Sequence, residues 1–158
     1  MVITDVISVQ QAKDWLQVDF PDEDPAILRL INSAVQWVEK YTCHYLYTRE
    51  ITKYTRSCQT GFPEYPINAF NVTDKTGVAL NPQPIPYYGA TKTYLSCPVQ
   101  SKVVLQVGYT TLDTIPSPLV EAAYKMITYL YENRDSYSII LPIDIQILLN
   151  PYRRSATL

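Results

Sequence analysis

Hydrophobic residues recur at helical spacing in two long stretches, one near each end of the chain. The C-terminal one, IPSPLVEAAYKMITYLYENR, spans Ile115 to Arg134, where Ser117 suits the N-cap and Pro118 the first helical position. Its polar stripe is narrow and consists of Glu121, Lys125, Thr128 and Glu132. So wide an apolar surface needs cover on more than one side. The helix therefore forms the core of a small domain or is shared between that core and a subunit interface.

Two further helices are predicted near the N-terminus. Ser8 and Gln11 have the spacing of a capping box and open a short helix. After the acidic turn FPDEDP, Asp24 can act as an N-cap and Pro25 as the first residue of a longer helix, which runs to about Tyr41 or His44. The apolar residues of this second helix fall on one side, so it should also face the core.

The hydrophobic period changes to two between about Tyr47 and Tyr109, which is typical of strands. The clearest strand has Val103, Leu105 and Val107 on one face. The prediction is an α+β fold: a small helical domain of two N-terminal helices and one long C-terminal helix, with an inserted antiparallel β-sheet and an extended C-terminal arm. We expect one domain, 1–158, comprising a helical region 1–46, a β-rich insertion 47–109, the long helix 116–134 and a docking arm 135–158.

Composition and charge exclude several classes of protein. The 158 residues include 13 Lys and Arg against 15 Asp and Glu, a net charge of −2, whereas binding through phosphates needs a basic surface. No run of about 18 apolar residues could span a membrane, and the N-terminus does not resemble a secretory signal. We therefore expect no membrane partner and synthesis in the cytoplasm. The 14 tyrosines fit either a Tyr-rich sheet or interface surfaces.

Motifs for catalysis or cofactor binding are not found in the sequence. It has no GxSxG elbow, Walker loop or dinucleotide-binding GxGxxG, and its four glycines are scattered. We predict no cofactor, no metal and no enzyme activity. The single histidine, His44, near a helix C-terminus is interpreted as a structural cation that the helix dipole favours. The carboxylates Asp22, Glu23 and Asp24 are likewise interpreted as complementing the dipole at a helix N-terminus.

Cys43, Cys58 and Cys97 are widely spaced and odd in number, which does not match a zinc or redox motif. Two interpretations stay open: buried thiols, or a pairing of Cys58 with Cys97 across strands.

Three motifs in order resemble the head-to-tail connector (adaptor) family of tailed bacteriophages. SVQQAKDWLQVDFPDEDPAILRLINSAVQWVEKYT is similar to the family's opening helix pair, VVLQVGYTTLDTIPSPLVEAAYKMITYLYENR to its last strand and long helix, and ILLNPYRR to its C-terminal ending. The segment from Thr55 to Ser101 departs from the family in being longer and richer in proline.

The resemblance implies a structural virion protein, made in the host cytoplasm and located in the head-tail neck. Such proteins form a ring, usually of twelve subunits, that binds the portal protein and links it to stopper or tail-completion proteins. DNA passes through the channel of the ring without specific binding. Two alternatives remain: a tail-completion or stopper protein of the neck, and a carbohydrate-binding or enzyme domain built on the sheet.

Under this resemblance, two sets of residues are assigned to protein contacts. The C-terminal arm should dock on the portal, and Tyr124, Tyr131 and Arg134 should lie at the subunit interface, although Arg134 could instead cap its own helix. A second possibility for the apolar arm is a strap over its own domain. The proposed portal-docking residues are Ile139, Ile140, Leu141, Ile147, Leu148, Tyr152, Arg153 and Arg154.

Overall fold

The computed structural model describes residues 3–55, 59–82, 84–85, 93–98, 100–134 and 141–154. The chain divides into two compact units. The helical unit contains the chain up to Thr42 together with Tyr109–Arg153, and the sheet unit contains Cys43–Gly108 together with the C-terminus from Arg154. None of the helices in the described residues is both long enough and apolar enough to span a membrane.

In the part of the helical unit that the structure describes there are five α-helices. Their bounds are α1 Ile3–Val6, α2 Val9–Leu16, α3 Asp24–Thr42, α4 Ser117–Glu132 and α5 Ile143–Leu149, with 3-10 turns at Pro21–Glu23, Leu112–Thr114 and Asn150–Tyr152. The predicted capping box of α2 is confirmed, because the Gln11 amide donates to Ser8 Oγ at 3.1 Å and the Ser8 amide donates to Gln11 Oε1 at 2.9 Å. These two bonds satisfy N–H groups that the first turn would otherwise leave without an acceptor.

The predicted cap of α4 is wrong by one residue. Pro116 occupies the N-cap, Ser117 is the first helical residue, and no side chain caps the helix. The Leu119 amide instead donates to the Pro116 carbonyl at 2.9 Å. Similarly, α3 begins at Asp24 itself. The Asp24 carboxylate accepts from Lys13 Nζ at 2.8 Å, which pairs it with a buried ammonium group.

The core of the helical unit is formed where α3 packs on α4 and α4 packs on α5. This arrangement covers the wide apolar surface of α4 on two sides. The C-terminal segment contributes to it, because Leu141, Ile145 and Leu149 are buried, so part of the arm that was predicted to dock on a partner packs in the core of its own unit. Other buried core residues are Ile27, Ile31, Ala34, Val35, Val38, Leu119, Ala122, Ala123, Met126 and Ile127.

The described strands of the sheet unit form two antiparallel sheets, which confirms the predicted α+β class. The strands are β1 Arg49–Tyr54, β2 Gln59–Phe62, β3 Ile67–Thr73, β4 Ala79–Leu80, β5 Pro84–Ile85, β6 Thr93–Ser96 and β7 Lys102–Val107. One sheet has the order β1-β7-β3-β4 and the other β2-β6-β5. In the larger sheet Leu105 of β7 lies between Ile51 of β1 and Phe70 of β3. The alternation predicted for β7 is therefore the pattern of a central strand with one buried face.

Among the described residues of the sheet unit, a buried hydrophobic core is formed by Phe62, Val72, Leu95, Cys97, Val103, Leu105 and Val107. Cys97 belongs to this core and Cys43 is half-buried. Cys58 lies outside the described residues, so its pairing with Cys97 remains untested.

The predicted turn TDKTG is present, and Asp74 Oδ1 accepts from the amides of Thr76 at 2.7 Å and Val78 at 2.9 Å.

Candidate interaction surfaces

The tyrosines of α4 that the sequence assigned to a subunit interface contact this chain's own N-terminal region. The Tyr124 ring lies 5.1 Å from the Trp15 ring, and Trp15 Nε1 donates to Thr128 Oγ1 at 2.8 Å. Burial is the main cause that raises the pKa of the Tyr124 hydroxyl above its ordinary value. The face of α4 that carries Tyr124 is thus partly covered by α2, and Trp15 itself remains exposed.

Tyr131 and Arg134 converge on one carboxylate of the acidic turn. The Tyr131 hydroxyl donates to Glu23 Oε2 at 2.9 Å, and Arg134 Nη2 lies 3.4 Å from the same oxygen. The Arg134 guanidinium also stacks over the Tyr131 ring at 4.3 Å. The hydrogen bond to Glu23 is the main cause that raises the pKa of Tyr131. Glu23 therefore joins the start of α3 to the end of α4 in addition to any effect on the helix dipole.

The residues proposed to dock on the portal are distributed over different environments. Leu141 is buried in the helical core, whereas Ile147 is 64 % exposed. Leu148, Tyr152 and Arg154 are half-buried and Arg153 is exposed. Ile139 and Ile140 lie outside the described residues. Of the described residues in this set, the exposed and half-buried ones can contact a partner protein, whereas the buried Leu141 cannot.

One exposed residue of α5 was missed by the sequence interpretation. Ile143 is 70 % exposed and precedes Ile147 by one helical turn, so both side chains lie on the same face. The i, i+4 spacing of the two isoleucines was the signal that could have identified this pair. A groove of about 300 Å³ is lined by other residues of this region, among them Trp15, Ile145 and the Lys125–Asp144 ion pair at 3.5 Å.

The last described residues contact other residues of their own chain. Tyr41 Oη donates to Asn150 Oδ1 at 2.7 Å, and the Arg153 guanidinium stacks over the Tyr41 ring at 5.1 Å. In the sheet unit, Arg154 Nε donates to the Pro63 carbonyl at 2.9 Å. Its guanidinium group stacks over the ring of Tyr65 at 4.7 Å.

His44 is buried beside this arginine. Its side chain is 7 % exposed, and its ring lies 4.9 Å from the Tyr65 ring. Burial, and then the positive charge of Arg154, lower the pKa of His44 to about 4. The interpretation of His44 as a cation at a helix end is therefore wrong. The helix ends at Thr42, and Cys43 has a left-handed backbone conformation with φ of +59°.

This buried imidazole predicts a pH dependence of stability. The unfolded chain binds a proton at the ordinary pKa of about 6.5 and the folded chain only near pH 4, so stability is lost as the pH falls between these values. From pH 7.5 to 5.5 the free energy of unfolding should decrease by about 1.4 kcal/mol through His44. Urea unfolding of the wild type and of His44→Gln at both pH values measures the difference. Equal decreases in the two proteins would contradict the assignment.

Similar proteins are found by comparison of structures but not by comparison of sequences. No protein-family model and no curated protein matches the sequence. A chain in the virion of a native gene transfer agent (GTA) particle has a TM-score of 0.75 with 18 % identity, over 97 % of this chain and 92 % of the other. A chain in the neck of an empty GTA particle, computed with C6 symmetry, has a TM-score of 0.72 with 18 % identity and coverage of 100 % and 95 %.

A third structure, the neck of a native GTA particle computed with C12 symmetry, contains a chain with a TM-score of 0.74, 13 % identity and coverage of 100 % and 94 %. The identities are low, whereas the coverage is nearly complete in both directions. The chain therefore has the fold of proteins found in the neck and virion of GTA particles.

Proposed function

We propose that this chain is a structural protein of the neck of a phage-type particle. More finely, we propose a head-tail connector, or adaptor, that binds the portal and links it to stopper or tail proteins around a channel for DNA. The observation that carries the proposal is the nearly full-length likeness to chains of GTA necks, with TM-scores of 0.72 and 0.74. On this proposal the protein is located in the virion and is not an enzyme.

A ring of copies belongs to the same proposal. Rings are built from heterologous interfaces, in which two different surfaces of each subunit meet. The helical unit exposes several large apolar side chains that neighbours could cover, namely Trp15, Phe20, Ile143 and Ile147. One GTA neck structure was computed with C12 symmetry and the other with C6 symmetry; a ring of twelve copies fits both symmetries, whereas a ring of six fits C6 alone. Native mass spectrometry of isolated necks distinguishes an adaptor ring of twelve from a stopper or tail-completion ring of about six.

Removal of the gene tests the function directly. If the chain joins head to tail, particles made without it should contain heads and tails that remain separate, and infectivity should fall by several orders of magnitude. Electron microscopy and titration of lysates measure both effects, and expression of the wild-type gene in trans is the control. Infectious tailed particles made without the protein would refute the proposal.

The portal contact is assigned to the exposed face of α5 and to the C-terminal residues Tyr152, Arg153 and Arg154. Replacing Ile147 by glutamate puts a charge on an exposed apolar position without disturbing the buried Ile145 and Leu149. Binding to purified portal should weaken about tenfold or more, because a charge at the centre of an interface loses its hydration. Pull-down on the portal measures the loss.

The matched control for this test is Val78→Glu. Val78 is also an exposed β-branched apolar residue, and it lies in the sheet unit at the turn that follows β3. It should leave portal binding unchanged, since we assign the loops of the region 61–89 to solvent or to a tail-side partner. Undiminished binding by Ile147→Glu, or by a chain truncated after Leu141, would remove the arm from the portal contact.

A further inference from the structure

The two units carry opposite net charges, which the overall net charge of −2 conceals. The segments that form the helical unit contain twelve acidic and six basic residues, a net charge of −6. Those that form the sheet unit contain three acidic and seven basic residues, a net charge of +4. Such a separation produces complementary potentials, which steer association and fix orientation between surfaces of opposite sign.

An acidic patch in the helical unit lies on the connection between α2 and α3. Asp19, Phe20 and Asp22 are all exposed, and Phe20 is 70 % exposed. The acidic patch, defined as Asp19, Phe20 and Asp22, thus combines an exposed aromatic residue with two exposed carboxylates. Aromatic residues are enriched at interfaces, where burial of the ring contributes most of the favourable free energy and the charges around it select the partner.

A basic patch in the sheet unit has the complementary composition. Tyr54, at 66 % exposure, lies on the edge strand β1 directly opposite Lys102 of β7, and Lys102 lies opposite Thr73 of β3. Residues that are directly paired across strands share one face of the sheet at about 5 Å. The exposed Lys75 follows Thr73 by two residues in the turn. The basic patch, defined as Tyr54, Lys75 and Lys102, thus combines an aromatic ring with two ammonium groups.

We propose that the acidic patch of one copy docks on the basic patch of the next copy in the ring. This inference rests on the proposed function and specifies its subunit contact. A second copy is the occupant because it supplies the opposite charge and a second exposed aromatic ring. Since the two patches differ, the contact is heterologous and can repeat from copy to copy until a ring closes. The contact should also weaken with salt, which screens charges beyond about 10 Å at 0.1 M.

The test uses three charge variants of the full-length chain. The first reverses the acidic patch (Asp19→Lys with Asp22→Lys), the second reverses the basic patch (Lys75→Glu with Lys102→Glu), and the third carries all four changes. All four positions are exposed, so the variants should fold, and circular dichroism verifies this. The control Asp113→Lys with Glu132→Lys makes the same charge change as the first variant at exposed positions elsewhere in the helical unit.

Sedimentation equilibrium at up to about 0.5 mM protein and about 0.05 M salt measures association. The wild type, the control and the fourfold variant should associate, and the first and second variants should each associate about tenfold or more weakly. An equimolar mixture of the first and second variants should regain association, because each then meets a patch of opposite charge. A merely damaged surface would not be rescued in this way.

Three results would overturn the proposal: a wild type that stays monomeric under these conditions, variants that associate as well as the wild type, or a mixture that regains nothing. Duplex DNA of about 30 base pairs is added as a competing probe for the basic patch. If the second variant loses duplex binding while the mixture regains no association, the basic patch is a surface for a polyanion and not for a second copy. Failure of the proposed neck function would be recognised by a different experiment, because particles made without the gene would then be infectious.

Discussion

Replacing Gly108 by alanine is expected to destabilise the chain by at least about 3 kcal/mol. Gly108 follows β7 with φ of +106°, a conformation that residues with a Cβ rarely adopt. A Cβ built there would overlap the carbonyl group of Tyr47 and lie 2.9 Å from Cα of Thr48. Both obstacles are backbone, which cannot move aside as a side chain can. The amide of Gly108 also donates to the Pro66 carbonyl at 3.0 Å, so a shift of the backbone would break a hydrogen bond as well.

Gly77→Ala is the matched control for this variant. Gly77 also has a positive φ, +87°, but a Cβ at that position would meet no atom within 4 Å. Only the conformational cost of alanine at positive φ remains, about 1 kcal/mol. Urea unfolding of both variants measures the two values. Similar losses would show that the overlap at Gly108 is relieved by relaxation of the backbone.

Lys53→Met is expected to destabilise the chain by about 2 kcal/mol. Lys53 Nζ lies 2.8 Å from Glu64 Oε1, and the Glu64 side chain is only 6 % exposed. The hydrogen bond to Glu64 is the main cause that raises the pKa of Lys53. Without the ammonium group, a buried carboxylate loses its counter-charge. We expect less than the roughly 3–5 kcal/mol typical of a broken buried pair, because Lys53 is itself 46 % exposed.

The second oxygen of Glu64 strengthens this expectation, because no described residue donates a hydrogen bond to it. In Lys53→Met with Glu64→Gln the buried charge is removed together with its partner, so most of the lost stability should return. A double-mutant cycle by urea unfolding at pH 7 measures the coupling between the two positions. Additive losses in the double variant would contradict the ion-pair explanation.

The elements that the sequence predicted best are those specified by neighbouring residues. The capping box of Ser8 and Gln11 depends on residues three apart, and the turn at Asp74 depends on one side chain and the next few amides. The contact of Glu23 with Arg134 could not be predicted in the same way, because 111 residues separate the two partners. The proximity of Trp15 to Tyr124 likewise depends on how α2 packs on α4.

The environment of His44 shows the same division. The sequence predicted that His44 lies near the C-terminus of a helix, where the helix dipole favours a positive charge. The packing of Tyr65 and Arg154 around the ring instead removes it from water and adds a nearby cation, and both effects favour the neutral imidazole. Contacts with residues distant in sequence thus favour the neutral form of His44, whereas its position near a helix end had predicted the charged form.

By itself, the sequence determined the α+β class, the capping box of α2, the turn at Asp74 and the wide apolar surface of α4, because these follow from the spacing of residues along the backbone. Tertiary structure alone decided that α5 contributes to the core, that Tyr131 and Arg134 meet Glu23, and that acidic residues outnumber basic ones in the helical unit while the reverse holds in the sheet unit. The physical reason is that burial and electrostatic pairing depend on distances in space, and a chain that folds back on itself brings residues from its two ends into one unit.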